Sequence, residues 1–395
     1  MHILHKTISA IALAAILFVS CKKNTDTSAS PSTNSTPINK ADYEIITATL
    51  NLPESSFNYI ALNLPFHFGA PPISSTDNTP VNINPITNDG ATLGRVLFYD
   101  KSLSLNNTIA CASCHKQENS FTDPLQFSKG ILGGLTDRNS MSLANARYYA
   151  NGRFFWDERA VTLEDQTLMP IQHPVEMGMT LDSLEKKLAA KDYYKVLFRK
   201  AFGDESVTRD RISKALAQFI RSMVSYQSKY DDGLATLGHP PAPNEDLPGF
   251  SQIENQGLRV FNANCAGPCH NTELQTMPVA RNNGLDLVYN DNGVGKVTGR
   301  AIDNGKFKSP SLRNVMLTAP YMHDGRFLTI EQVIEHYSTG VKNHPNLDNR
   351  LKDPVTGQAR PLNLTQQQKN AIVAFLNTLS DNKFITDIKY SNPFK

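Results

Sequence analysis

The sequence predicts a mainly α-helical protein in two halves, with long loops and little strand. Three observations carry this. Apolar residues recur at three- and four-residue spacing in several segments. Capping signals open the segments that carry them. A Pro- and Gly-rich stretch, GHPPAPNEDLPG, divides the chain between Tyr230 and Phe250. The 395 residues suffice for two domains, and a net charge of +2 without basic or acidic runs leaves no footprint for nucleic acid.

From the N-terminus, His5 and Lys6 precede an apolar run from Ile8 to Val19, too short to cross a bilayer, that ends at Ser20 and Cys21. Residues 1–20 therefore read as a secretory signal. LFVSC resembles the lipobox of bacterial lipoproteins, so Cys21 is expected to carry lipid on an exported protein facing the periplasm. A plain signal peptide with an incidental cysteine is the alternative. Residues 21–40, nearly all Ser, Thr, Asn, Pro and Lys, form the anchor and a flexible tether.

The first folded half spans 41–240 and the second 241–395. In the first, Ile212, Ala215, Leu216, Phe219, Ile220 and Met223 line one face of a helix of about five turns. In the second, Thr329 with Gln332 caps a helix carrying Val333, Ile334 and Tyr337. Thr365 with Gln368 opens another that buries Ile372, Phe375, Leu376 and Leu379. Residues 271–310, rich in Gly and Asn, predict loops that need something to pack around.

Four cysteines after Cys21 form two close pairs, each followed at once by histidine: CASCH at 111–115 and CAGPCH at 265–270. Two thiols at such spacing can reach two vinyl groups of one porphyrin while the next residue offers an imidazole to the iron. Cys111, Cys114 and His115 are thus a covalent haem site. Cys265, Cys269 and His270 are a second, in which Gly267 and Pro268 are expected to bulge and absorb the extra residue. The fold class becomes two c-type cytochrome-like haem domains. A four-cysteine zinc site, two disulfides or a thioredoxin-type redox motif are the alternatives; the first leaves both histidines unexplained, the second closes very short loops, and the third lacks its βαβ setting.

The blocks LGRVLFYDKSLSLNNTIACASCH, RNSMSLANA, FFWDERAVTLEDQTLMPIQHPVEMG, FKSPSLRNVMLTAPYMHDGRF and TIEQVIEHYSTG resemble, in order, those of the bacterial dihaem cytochrome c peroxidase family, which includes the MauG-type enzymes. The resemblance runs from about Leu93 to Leu379. It implies that the N-terminal haem reduces hydrogen peroxide and the C-terminal haem takes electrons from a small cytochrome c or cupredoxin. A homodimer is compatible with it. It also implies catalytic roles for Glu176 as distal acid and base, Gln166 as distal amide and Trp156 as the connection between haems. Calcium would lie on Asn139, Thr318 and the Pro320 carbonyl.

Two departures from the family pattern stand out. Regulated members place a blocking histidine after the first motif, whereas residues 116–172 contain none, and GILGGLTDRN occupies that place. The N-terminal iron is therefore expected to be five-coordinate without reductive activation. At the second haem, Tyr337 stands where peroxidases of the family use methionine, as in MauG-type enzymes. Met277, Met316, Met322 and His336 remain alternative ligands. Two other functions stay open: a MauG-like oxidant of a partner protein and a non-enzymatic dihaem electron carrier.

Overall fold

The computed structural model describes residues 38–242, 244–267 and 269–395. The predicted signal, Cys21 and nearly all of the tether lie outside them, as does Pro268. No helix of the described residues is long and apolar enough to cross a membrane. Helices dominate. The named strands of the described residues form one two-stranded antiparallel sheet, β1 (Met277–Arg281) with β2 (Phe307–Ser309), in which Met277 faces Ser309.

Each half is built on one pair of crossed helices that touch at a glycine. The helix Asn88–Tyr99, capped by the Thr87 side chain, meets Arg209–Ser222 at Gly94. A Cβ there would lie 2.0 Å from the Ala215 carbonyl oxygen, so only glycine lets the backbones approach this closely. One turn on, Phe98 and Phe219 meet edge to face with ring centres 5.4 Å apart. In the second half Gln252–Phe261 crosses Gln366–Asn377 at Gly257, where a Cβ would lie 1.9 Å from the Ala371 carbonyl, and Phe261 packs on Phe375 at 5.0 Å. GRVLF against ALAQF and GLRVF against AIVAF are one motif used twice.

Each crossing seeds a core. The first gathers Leu93, Leu97, Phe98, Phe198, Leu216 and Phe219; the second gathers Leu258, Phe261, Ile334, Ile372 and Phe375. Burying each such side chain contributes about 1.5–3 kcal/mol. The chain's last residues return to the first core: Phe384 and Tyr390 are buried in it, and the Tyr390 hydroxyl donates to the Ser222 carbonyl at 2.6 Å.

Both capping boxes expected in the second half are present, at Thr329 with Gln332 and Thr365 with Gln368. The amphipathic helix of the first half runs Arg209–Ser222, a turn shorter than expected, because Met223 leaves helical dihedrals (φ −75°, ψ 75°). The break between halves is also shorter. Ser228 and Asp231 form a capping box that starts a helix, Lys229–Leu237, whose Tyr230 and Leu234 are buried in the second core.

The repetition extends beyond the helices. Ser140, Ser142, Leu143 and Asn145 recur as Ser309, Ser311, Leu312 and Asn314, and both asparagines adopt the left-handed conformation (φ 60° and 62°) before a 3₁₀ turn. Isolated bridges Phe154–Ala160 and Tyr321–Phe327 follow, then helices capped by Thr162 and Thr329. The halves then bond reciprocally. The Asn139 N–H donates to the His323 carbonyl and the Lys308 N–H to the Trp156 carbonyl, both at 2.8 Å. Asn139 corresponds to Lys308 and Trp156 to His323, so equivalent positions exchange equivalent bonds, as across a two-fold axis.

Candidate active site

At the first cysteine pair one helical turn, Cys111–Cys114, ends as the His115 N–H reaches the Cys111 carbonyl at 3.0 Å. The His115 ring donates from Nδ1 to the Phe121 carbonyl at 2.8 Å, which leaves Nε2 as the nitrogen with a lone pair. Burial lowers the imidazole's pKa and keeps it neutral, as an iron ligand must be. The ring lies 6.5 Å from Phe98, and the Ser140 hydroxyl holds the Cys114 carbonyl at 2.8 Å.

The second pair repeats this with one residue more. The His270 N–H again reaches the first cysteine's carbonyl, Cys265, at 3.2 Å; Nδ1 donates to the Gln275 carbonyl at 2.9 Å; the ring lies 6.5 Å from Phe261; and the Ser309 hydroxyl holds the Cys269 carbonyl at 3.1 Å. The extra residue is absorbed differently from expectation. Gly267 is ordinary right-handed helix (φ −56°, ψ −44°), and residues Asn262–Ala266 form a π-helical turn that widens the ring by one residue. Widening an existing helix keeps its backbone bonds, which a separate bulge would interrupt.

The cysteines fit covalent haem. None of the four forms a disulfide, and burial pushes the thiols of Cys111 and Cys265 up to about 12 and those of Cys114 and Cys269 up to about 11. Such thiols are poor redox nucleophiles. Among the described residues no group of three or more His, Cys, Asp or Glu could hold a metal ion, which tells against a shared zinc site. Beside His115 lies a cavity of about 860 Å³, of a size for a large planar ligand, lined also by Cys114, Trp156, Gln166, Pro170 and Glu176.

Glu176 sits in the turn after the helix Leu163–Gln172. Burial raises its pKa, partly offset by His173, whose Nδ1 is 3.6 Å away, and by Arg159. The loop at 130–136 packs closely against this turn, with the Ile131 side chain beside Gly178, where a Cβ would lie 2.6 Å from its Cδ1. The Ile131 N–H donates to the Val175 and Glu176 carbonyls at 3.2 and 3.1 Å, and a Cβ on Gly130 would lie 1.6 Å from the Val175 oxygen.

A family model described as di-haem cytochrome c peroxidase matches residues 88–237. The methylamine utilization protein MauG of Methylorubrum extorquens is 33% identical over 301 residues, 75% of this chain and 79% of that protein. This chain belongs to the dihaem cytochrome c peroxidase family. The cytochrome c551 peroxidase of Nitrosomonas europaea is 35% identical over 257 residues, covering 64% of this chain and 74% of its own. A crystal structure of a MauG-like protein associated with microbial copper homeostasis superposes with a TM-score of 0.67 and 32% identity, covering 86% of this chain and 99% of that one. The dihaem family implies two haem c groups, which match the two sites above.

Within this dihaem fold the internal repeat compares the two iron faces directly. Eight residues after the capping threonines Thr162 and Thr329 stand Pro170 and Tyr337. Pro170 lines the His115 cavity and carries no donor atom. Tyr337 lies in a π-turn, its hydroxyl 3.4 Å from the Asn283 amide; burial raises its pKa, offset by Asn283 and reinforced by Cys269 and Cys265. The same amide lies 3.6 Å from the Met322 sulfur. Met277 faces Arg281 and Arg350, Met316 packs on the second core, and His336 engages the Asn283 carbonyl through Nε2 at 3.1 Å.

Trp156 joins the halves. Its indole N–H donates to the Asn139 carbonyl at 2.8 Å, its carbonyl accepts from Lys308, and it packs with Leu285, Tyr289 and Phe307. The Asn139 amide is turned to the Leu125 and Gln126 carbonyls and the Thr318 hydroxyl donates to Val315, while both side-chain oxygens keep lone pairs. Sequence reading passed over Pro170, Asn283 and Lys308. The twice-used GxxxF, AxxxF and SxSLxN patterns were the signal that aligns the halves and finds Pro170 and Lys308, whereas no repeated pattern contains Asn283.

Proposed function

We propose that this chain reduces hydrogen peroxide to water with electrons from a small redox protein, a cytochrome c or a cupredoxin. The observation that carries the reading is that Glu176 and Gln166 line the same cavity as the half-buried imidazole of His115, with no histidine in the adjoining loop. Haem, which Cys111, Cys114 and His115 would hold, would supply the redox-active iron and the electrons that peroxide takes up. The protein's part is the proton. The Glu176 carboxylate accepts it from one peroxide oxygen and returns it to the other, so that the O–O bond breaks with water as leaving group. The Gln166 amide supports charge on the departing oxygen. Overall, hydrogen peroxide takes up two electrons and two protons and leaves as two waters.

A second haem, held by Cys265, Cys269 and His270, would supply the site of electron entry, and Trp156, which contacts both halves, would connect the two sites. Tyr337 would help His270 hold the iron of that haem, whereas Pro170, at the equivalent position beside His115, offers no ligand atom. Calcium on Asn139, Thr318 and Pro320 would brace the junction. The chain works outside the cytoplasm, anchored by lipid at Cys21.

A second reading, oxidation of a partner protein in the manner of MauG, is favoured by the Tyr337 and Pro170 pairing, since an anionic tyrosinate stabilises ferric iron and lowers its potential. Turnover of reduced cytochrome c with peroxide, without prior reduction of the enzyme, separates them. Steady oxidation of the cytochrome supports the peroxidase. No oxidation, with a modified residue found in a co-purifying protein, supports the second reading.

A further inference from the structure

The cavity at His115 is lined by four cations, and their partners differ. Arg138 is paired with Asp157 and Asp291, and Arg159 with Asp157. Lys296 is exposed. Lys308 is the exception. It is half-buried, fixed by its N–H bond to the Trp156 carbonyl, and forms no ion pair among the described residues. Its ammonium lies 3.5 Å from the Tyr149 ring centre, 4.9 Å from that of Phe154, and 3.3 Å from the Arg153 carbonyl. The one acid that influences it, Glu158, already accepts from the Tyr149 hydroxyl at 2.5 Å and from Asn151 at 3.0 Å. In this setting burial pushes the Lys308 pKa down to about 7.

A cation enclosed by aromatic rings beside an acid that is already engaged requires a counter-charge from elsewhere. Haem seated at His115 would bring one, because it carries two propionate carboxylates.

We propose that Lys308 is the charge partner of a propionate of the haem held by His115, and thereby sets that haem's reduction potential. The inference rests on haem being seated at His115. Pairing holds the lysine charged well above neutral pH, and the retained positive charge favours the reduced haem. Tyr149 and Glu158 are the other titratable groups facing it; the phenol stays protonated, because burial and Glu158 both raise its pKa.

The test is a redox titration of the high-spin haem from about pH 6 to pH 9 in wild type, Lys308→Met and Lys308→Arg, with haem counted in each by pyridine haemochrome. A count lacking the first haem in wild type would instead refute the seating on which the inference rests. The methionine variant should have a lower midpoint potential at every pH, and the arginine variant should match wild type. If Lys308→Met coincides with wild type at the alkaline end, the lysine is neutral there and the proposal fails. Resonance Raman on wild type alone gives an independent reading. The propionate bending mode should hold constant across this range, and a transition near pH 7 would overturn the pairing even if neither variant loads haem.

Discussion

Replacing Glu176 by Gln keeps the side chain's shape and removes its capacity to take a proton. Loss of a positioned general base costs about 10²–10⁴ in rate, or about 2.7–5.4 kcal/mol at 1.36 kcal/mol per decade. The structure selects the low end. His173 Nδ1 lies 3.6 Å from Glu176, is 43% exposed, and remains as a substitute acceptor. Glu176→Gln should therefore slow the reaction with peroxide about 10²-fold, and Glu176→Gln with His173→Gln about 10⁴-fold. The assay is stopped-flow absorbance of the oxidised haem mixed with peroxide between about pH 4 and pH 8. Only the ionised carboxylate accepts a proton, and burial raises its pKa. The wild-type rate must then fall on acidification through a pKa above the usual carboxylate range, and the double variant, which lacks both acceptors, must lose that limb. A loss below tenfold in the double variant, or an acid limb unchanged in it, would refute the assignment.

Three further outcomes follow from the geometry. Gly94→Ala and Gly257→Ala each force a Cβ to about 2 Å from a carbonyl oxygen, so each should lower stability by at least about 2 kcal/mol in thermal or denaturant unfolding; unchanged stability would mean the helices do not cross there. Asp231 is buried, which alone would raise its pKa, but Arg313, His67 and Ser228 hold it below the ordinary range. Its contribution is complete above about pH 4 and is lost as pH falls through the depressed folded value. Asp231→Asn should cost about 3–5 kcal/mol at neutral pH, with the gap to wild type closing in acid. It should also perturb the second haem's spectrum, since Arg313 braces the Glu273 carbonyl in the loop that holds His270. Cys265→Ala should leave a single thioether at the second site, read as a red-shifted pyridine haemochrome band with the first site unchanged; an unaltered spectrum would show that Cys265 never joins the porphyrin.

Much of this protein was legible before any coordinates. CASCH and CAGPCH announce two haem sites because attachment chemistry fixes thiol and imidazole spacing along the chain, a local constraint. The capping boxes at Thr329 and Thr365 and the stripe from Ile212 to Met223 are local too. What sequence could not decide are relations between distant segments. The π-turn at Asn262–Ala266 continues the helix that crosses at Gly257, and Gly267 beyond it is ordinary right-handed helix. The helix at Lys229 was obscured by the prolines just beyond it, since the burial of Tyr230 and Leu234 depends on a core assembled over a hundred residues away. The isolation of Lys308 emerges only when the Trp156 carbonyl, the Tyr149 ring and the engaged Glu158 surround it. Ligand spacing is written in covalent geometry. Charge pairing, enclosure and the open or closed face of an iron are set by packing, and packing exists only once the two halves have met.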